Sequence, residues 1–187
     1  LSATLLFEEN FVRVLGTAVD VDIVLYLGLC NGAGWATSLD GKKTILLGVE
    51  KIIELNWCDK ETMSSLIYHE LGHIWHDVAG TLRLSTENGS EKSVWHLYQE
   101  GVAMYCEQLL CGNQAKYHSH DATWVRWCEN HKEALFTEYI RRVVHNESTG
   151  DFFGDWCRYQ EHSDVGYYIG CEFVKNLLHK YTLVEIA

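Results

Sequence analysis

The pattern of apolar residues changes once along this chain, near residue 59, and that change limits the possible folds more than any other feature. Before it, residues 18–29 (AVDVDIVLYLGL) are rich in β-branched side chains and partly alternate, which predicts a strand. Residues 35–38 and 43–48 predict two more strands joined by a turn at Asp40-Gly41, with residues 31–34 as the loop before them. Residues 50–56 fit a short helix or a loop equally. After the change, Met63, Leu66, Ile67, Leu71 and Ile74 recur at helical spacing behind Asp59, a good N-cap. Glu61 suits the first turn of that helix and Gly80 its end. A polar loop at 86–92 precedes further helices over 93–112, 121–145 and 165–181, with an irregular stretch at 146–164. A small sheet followed by helices is an α+β arrangement. The 187 residues suit one domain, with a sheet-containing lobe at 1–58 and a helical lobe at 59–187.

Composition narrows the partners. The formal net charge is −11, and no run of Lys or Arg exceeds a pair. Nucleic acid and anionic membrane both need a cationic footprint, so neither is an expected partner. Seven cysteines are an odd number, and none is paired at the two-residue spacing of a zinc knuckle or redox motif. Reduced, buried thiols are therefore expected. Residues 1–10 lack the pattern of a signal peptide, and no apolar run approaches the ~20 residues of a membrane span. These features predict a cytoplasmic protein, although a chain that opens on Leu need not begin at its natural N-terminus. Proline is absent, so turns fall to Gly, Asn, Asp and Ser.

The most informative segment is His69-Glu-Leu-Gly-His73, set within the helix that follows Asp59. Residues four apart stack on one helix face, so both imidazoles can reach one metal ion. Glu70 is turned about 100° from His69 and can sit beside that ion to take a proton from water. This is the mechanical content of the H-E-x-x-H pattern of zinc hydrolases.

Catalytic zinc takes three protein ligands and keeps one position open. A metzincin would need Gly at 76 and His at 79, but the chain has His76 and Ala79. Glu100, in LYQEGVAMY, is the best third candidate: it lies on the next helix, and Gly101 beside it permits a close approach. Glu107 and His96 share that helix face and suit supporting or surface roles better than ligation. Asp77 is placed to fix an imidazole tautomer, and His76 to line the cleft.

HELGH with EGVAMY on the next helix resembles the gluzincin branch of zinc peptidases. The C-terminal GYYIGCEFVKNLL is similar to a Gly-Tyr-x-x-Gly helix in a family of predicted bacterial zinc-dependent proteases, which also carry H-E-x-x-H and a downstream Glu-Gly. The resemblance runs from about residue 67 to 178 and rests on these three motifs. It implies a zincin-like fold and one Zn²⁺ per chain on His69, His73 and Glu100, with Glu70 as the base. It also implies Tyr167 as the oxyanion donor, with Tyr168 as alternative; His162, in the loop before that helix, is a further candidate by position. The tryptophan-rich segment 116–156 has no counterpart in it.

The expected activity is hydrolysis of a peptide or protein substrate. Residues 44–48 could pair with an extended substrate backbone as an edge strand. The alternative is a zinc-bearing domain that binds a partner without turnover.

Overall fold

The computed structural model describes residues 2–187, with side chains from residue 7 onward. It is α+β, with a three-stranded sheet and a mainly helical body. The order is α1 (Ser2–Leu15), β1 (Val21–Tyr26), β2 (Gly34–Leu39), β3 (Lys42–Gly48), α2 (Val49–Glu54), α3 (Lys60–Ala79), α4 (Gly89–Cys111), α5 (Ala122–Val144) and α6 (Val165–Leu177). A 3₁₀ turn, Gly150–Phe152, lies between α5 and α6.

The β2–β3 hairpin turns at Asp40 (φ 50°) and Gly41 (φ 82°). Two left-handed residues make the tight connection that matches strand twist. β3 then pairs in parallel with β1, Val21 opposite Lys43, so the sheet order is β1-β3-β2. This corrects one expectation: residues 44–48 form the central strand, with both edges hydrogen-bonded, and β2 is an edge. Strand order is a long-range property that local alternation does not carry.

α3 begins at Asp59, whose carboxylate accepts the N–H groups of Glu61 and Thr62 at 2.8 and 3.0 Å. It buries Leu66, Ile67, Leu71, Ile74 and Trp75 against the sheet, α1 and α4. Each such side chain contributes about 1.5–3 kcal/mol through burial. α4 starts four residues before the predicted 93, because Asn88 caps it by accepting the Glu91 N–H at 2.9 Å. Residues 50–56 resolve as the short helix α2, and the last helix stops at Leu177, short of 181. α1 was not anticipated, although Phe7, Phe11, Val14 and Leu15 recur at helical spacing and pack into the core.

Two apolar clusters flank α4. Val102, Cys106 and Leu110 belong to the cluster that α1, α3 and the sheet share, while Leu97 and Met104 belong to the one built with α5 and α6. The helix interfaces close through glycine. A Cβ on Gly72 of α3 would lie 2.8 Å from the Ala103 Cα of α4. A Cβ on Gly101 of α4 would overlap the Gly170 carbonyl of α6, and one on Gly170 would sit 3.1 Å from the Gly101 Cα. The room that Gly101 leaves is thus taken by α6 backbone. All seven cysteines are free, and Cys106, Cys128 and Cys171 are buried. Among the described residues, no helix is long and apolar enough to cross a membrane.

Candidate metal centre

α3 and α4 pack side by side, which brings His69, His73 and Glu100 together. Glu100 Oε2 lies 3.2 Å from His69 Nε2 and 3.4 Å from His73 Nε2. The Glu100 Oε1 atom lies 3.5 Å from His96 Nε2, one turn earlier on α4. His96 is half exposed and packs on Phe153 with ring centroids 4.3 Å apart and the planes tilted at 42°.

A second group shares His69. Its Nδ1 lies 3.4 Å from Glu107 Oε2, and the same oxygen is 3.0 Å from His118 Nδ1. Each of these two groups, His69/His73/Glu100 and the buried His69/Glu107/His118, could hold a metal ion. His118 was missed by sequence reasoning. It sits in the KYHSHD loop between α4 and α5, and only the fold carries it to α3.

The electrostatics follow from crowding charges in a buried place. Burial works against a charged His69, but contacts with Glu100 and Glu107 outweigh it and raise the imidazole pKa to about 10. Burial likewise opposes ionisation of Glu107, yet His118 and His69 bring its carboxyl down to about 2. Glu100 is held well below the usual carboxylate range against the same burial cost, by His73, His69 and His96. Glu70 moves the other way: burial raises its pKa, only partly offset by His73 and His69. Its side chain lies against the start of β2, where a Cβ on Gly34 would come within 2.9 Å of its Cγ and Cδ.

α6 adds Tyr167, whose ring meets His118 edge-on at 4.7 Å and His69 at 5.6 Å. Burial and the nearby Glu100 raise its pKa well above the ordinary value, so the phenol keeps its proton. Tyr168 is turned to the other side of α6, against Tyr117 and Trp124.

Three expectations are corrected. Asp77 does not reach an imidazole; its carboxylate pairs with Lys43 of β3, which lies alongside the end of α3. His76 does not line a cleft. It is fully buried, packed on Trp95 and Tyr98, and neither ring nitrogen has a hydrogen-bond partner. Three residues past His73, its direction on α3 is set by that aromatic packing. His162 lies flat on Trp127 at 3.6 Å, and its Nδ1 is 2.9 Å from the Gln160 carbonyl oxygen.

No family model, curated protein or solved structure matches this chain.

Proposed function

We propose that this chain is a zinc-dependent hydrolase of the gluzincin type, cleaving peptide bonds. The observation that carries the reading is the spacing of three donor atoms. Bonds of about 2.0–2.1 Å at tetrahedral angles put neighbouring ligand atoms ~3.3 Å apart. Glu100 Oε2 stands 3.2 and 3.4 Å from the two imidazole nitrogens. Two imidazoles and one carboxylate are also the donor set of a hydrolytic zinc site. His69, His73 and Glu100 would hold one Zn²⁺ per chain, in a zincin-like arrangement of small sheet and metal helix.

When bound, zinc supplies a Lewis acid that polarises a carbonyl and acidifies water. Glu70 accepts a proton from the attacking water on its carboxylate and delivers it to the leaving amine. A buried carboxyl with a raised pKa suits that exchange, because it takes up and releases a proton closer to neutral pH. Tyr167 donates its hydroxyl proton in a hydrogen bond to the oxyanion that forms from the substrate carbonyl. The outer edge of β2 has no further strand beside it among the described residues, and its first residue touches Glu70. An extended peptide pairing there would run past the base.

One observation favours the runner-up, a zinc-bearing partner-binding domain: His69 and Glu70 are only 4% and 6% exposed. The two readings part on turnover. The deciding experiment is metal analysis of the purified chain, then a cleavage screen against a peptide library with Glu70→Gln as control. The peptidase reading requires one zinc per chain and chelator-sensitive cleavage that the Glu70→Gln variant loses. Zinc without cleavage would leave the partner-binding domain standing.

A further inference from the structure

The role of the buried His69/Glu107/His118 group rests on the zinc reading above and goes beyond it. His69 belongs to both candidate groups and offers each a different ring nitrogen. Either the ring bridges two metals, or one side of it is a support. We propose that Glu107 and His118 form a positioning pair, which holds His69 with Nδ1 protonated toward Glu107 and Nε2 turned to the metal.

Three observations carry this. The acceptor capacity of Glu107 comes first. An ionised carboxylate offers about four lone-pair positions. Ser65 Oγ and the His118 N–H donate to Oε1, the latter at 3.2 Å, while Oε2 faces the Nδ1 atoms of His118 and His69 at 3.0 and 3.4 Å. Oε1 is thus occupied by two donors, and Oε2 is left to the two imidazole edges in front of it.

Closure is the second. Glu107 is 0% exposed, and His69 Nδ1, His118 Nδ1 and Glu107 Oε2 are buried with no hydrogen-bond partner other than what a small turn of the rings would make between them, since both Nδ1 atoms already stand 3.0 and 3.4 Å from Oε2. Buried polar atoms need partners, and an Nδ1–H from each imidazole onto Oε2 is the pairing within reach. The Nε2 side of His69 faces His73 and Glu100, each about one-seventh exposed, so metal and substrate can approach from that side.

The third is the cost of placing His118. It adopts a left-handed backbone at φ 47°, a region that L residues other than Gly enter infrequently. Its ring then fills the space between His69 at 4.6 Å and Tyr167 at 4.7 Å. The segment between α4 and α5 thereby gains a role, supplying the part of the support that α3 and α4 lack. The same ring that orients Glu107 seats Tyr167 beside the metal histidine.

The test uses the full chain labelled with ¹⁵N-histidine and loaded with zinc. A long-range proton–nitrogen spectrum of the wild type should show His69 coordinated through Nε2 and protonated at Nδ1. Competition with a chromophoric chelator should show Glu107→Gln weakening zinc by about 10–100-fold, the range for a residue that supports a ligand. Here His118→Asn, which keeps a polar group toward Glu107, should retain more affinity than His118→Leu. Coordination through Nδ1, or a second zinc equivalent lost in His118→Asn, would overturn the proposal. So would wild-type affinity in Glu107→Gln. That last result, with zinc still dependent on His73 and Glu100, sinks the positioning pair alone. A chain that takes up no zinc sinks both readings.

Discussion

Glu100 meets His69 across the α3–α4 contact, Oε2 3.2 Å from Nε2, and the same oxygen serves His73 at 3.4 Å. One carboxylate oxygen therefore joins two imidazoles carried on the neighbouring helix. A donor set gathered by the packing of two helices loses little conformational freedom on taking a metal, because the ordering was already paid for in folding.

Replacing Glu100 should cost more zinc affinity than replacing any supporting residue. Glu100→Ala removes an anionic ligand as well as the partner of both imidazoles, so its loss should exceed the ~10–100-fold typical of an outer carboxylate. Chelator competition on Glu100→Ala and Glu107→Gln, side by side, ranks the two. Equal losses would argue against Glu100 as a ligand.

The tyrosines should separate cleanly. Tyr167→Phe should lower kcat by about 10²–10³-fold with little change in KM, as expected when a donor acts mainly in the transition state. Tyr168→Phe should stay close to the parent, because its ring packs on Tyr117 and Trp124. Steady-state kinetics on a cleaved peptide checks both. Full activity in Tyr167→Phe would place the donor elsewhere.

His76 should make stability depend on acidity. Burial, reinforced by the charge of His73, lowers its pKa from 6.5 to about 4, so the folded chain keeps it neutral. The unfolded chain protonates it below 6.5, hence folding loses stability as pH falls from about 6.5 to 4. The full shift corresponds to about 3 kcal/mol. Urea unfolding of the parent and His76→Leu between pH 7 and 4 isolates this share from the carboxylates. Parallel pH profiles for the two proteins would refute it.

Two glycines should fail in different ways. Gly101→Ala drives a methyl into the Gly170 carbonyl, which is backbone and cannot swing aside. A loss of about 1–3 kcal/mol is expected for such overpacking. Gly34→Ala meets the Glu70 side chain instead, which can rotate away. That variant should keep its melting temperature and lose activity, because the base is displaced. Thermal unfolding and a cleavage assay on both variants distinguish the outcomes.

Much of this architecture was legible where the signal is local. The Asp59 cap, the Leu66–Leu71–Ile74 stripe and the Asp40-Gly41 turn each encode their element within a few residues. His69, His73 and Glu100 could be chosen because helical geometry fixes the first two and a Glu-Gly on the next helix marks the third. His118 could not, since nothing in KYHSHD announces a partner eleven residues upstream, and its place depends on a left-handed turn. Asp77 and His76 were misread for the same reason. Position on α3 says which face a side chain takes, but Lys43 and the Trp95–Tyr98 packing belong to other elements. The order of strands was likewise invisible until β1 found β3.

The crossing of Gly101 on Gly170 also works as a fulcrum. With no side chain between them, α4 and α6 touch backbone to backbone there, and any rocking of one helix on the other must pivot about that point. Glu100 is one residue from the pivot and Tyr167 three, which at 1.5 Å per residue puts them within about 4.5 Å of it along their helices. A rock of ~10° would move the Tyr167 backbone by less than about 1 Å on that lever arm, while the C-terminal end of α6 at Leu177 swings about twice as far. The chain can therefore flex at its periphery and still hold phenol and carboxylate in register.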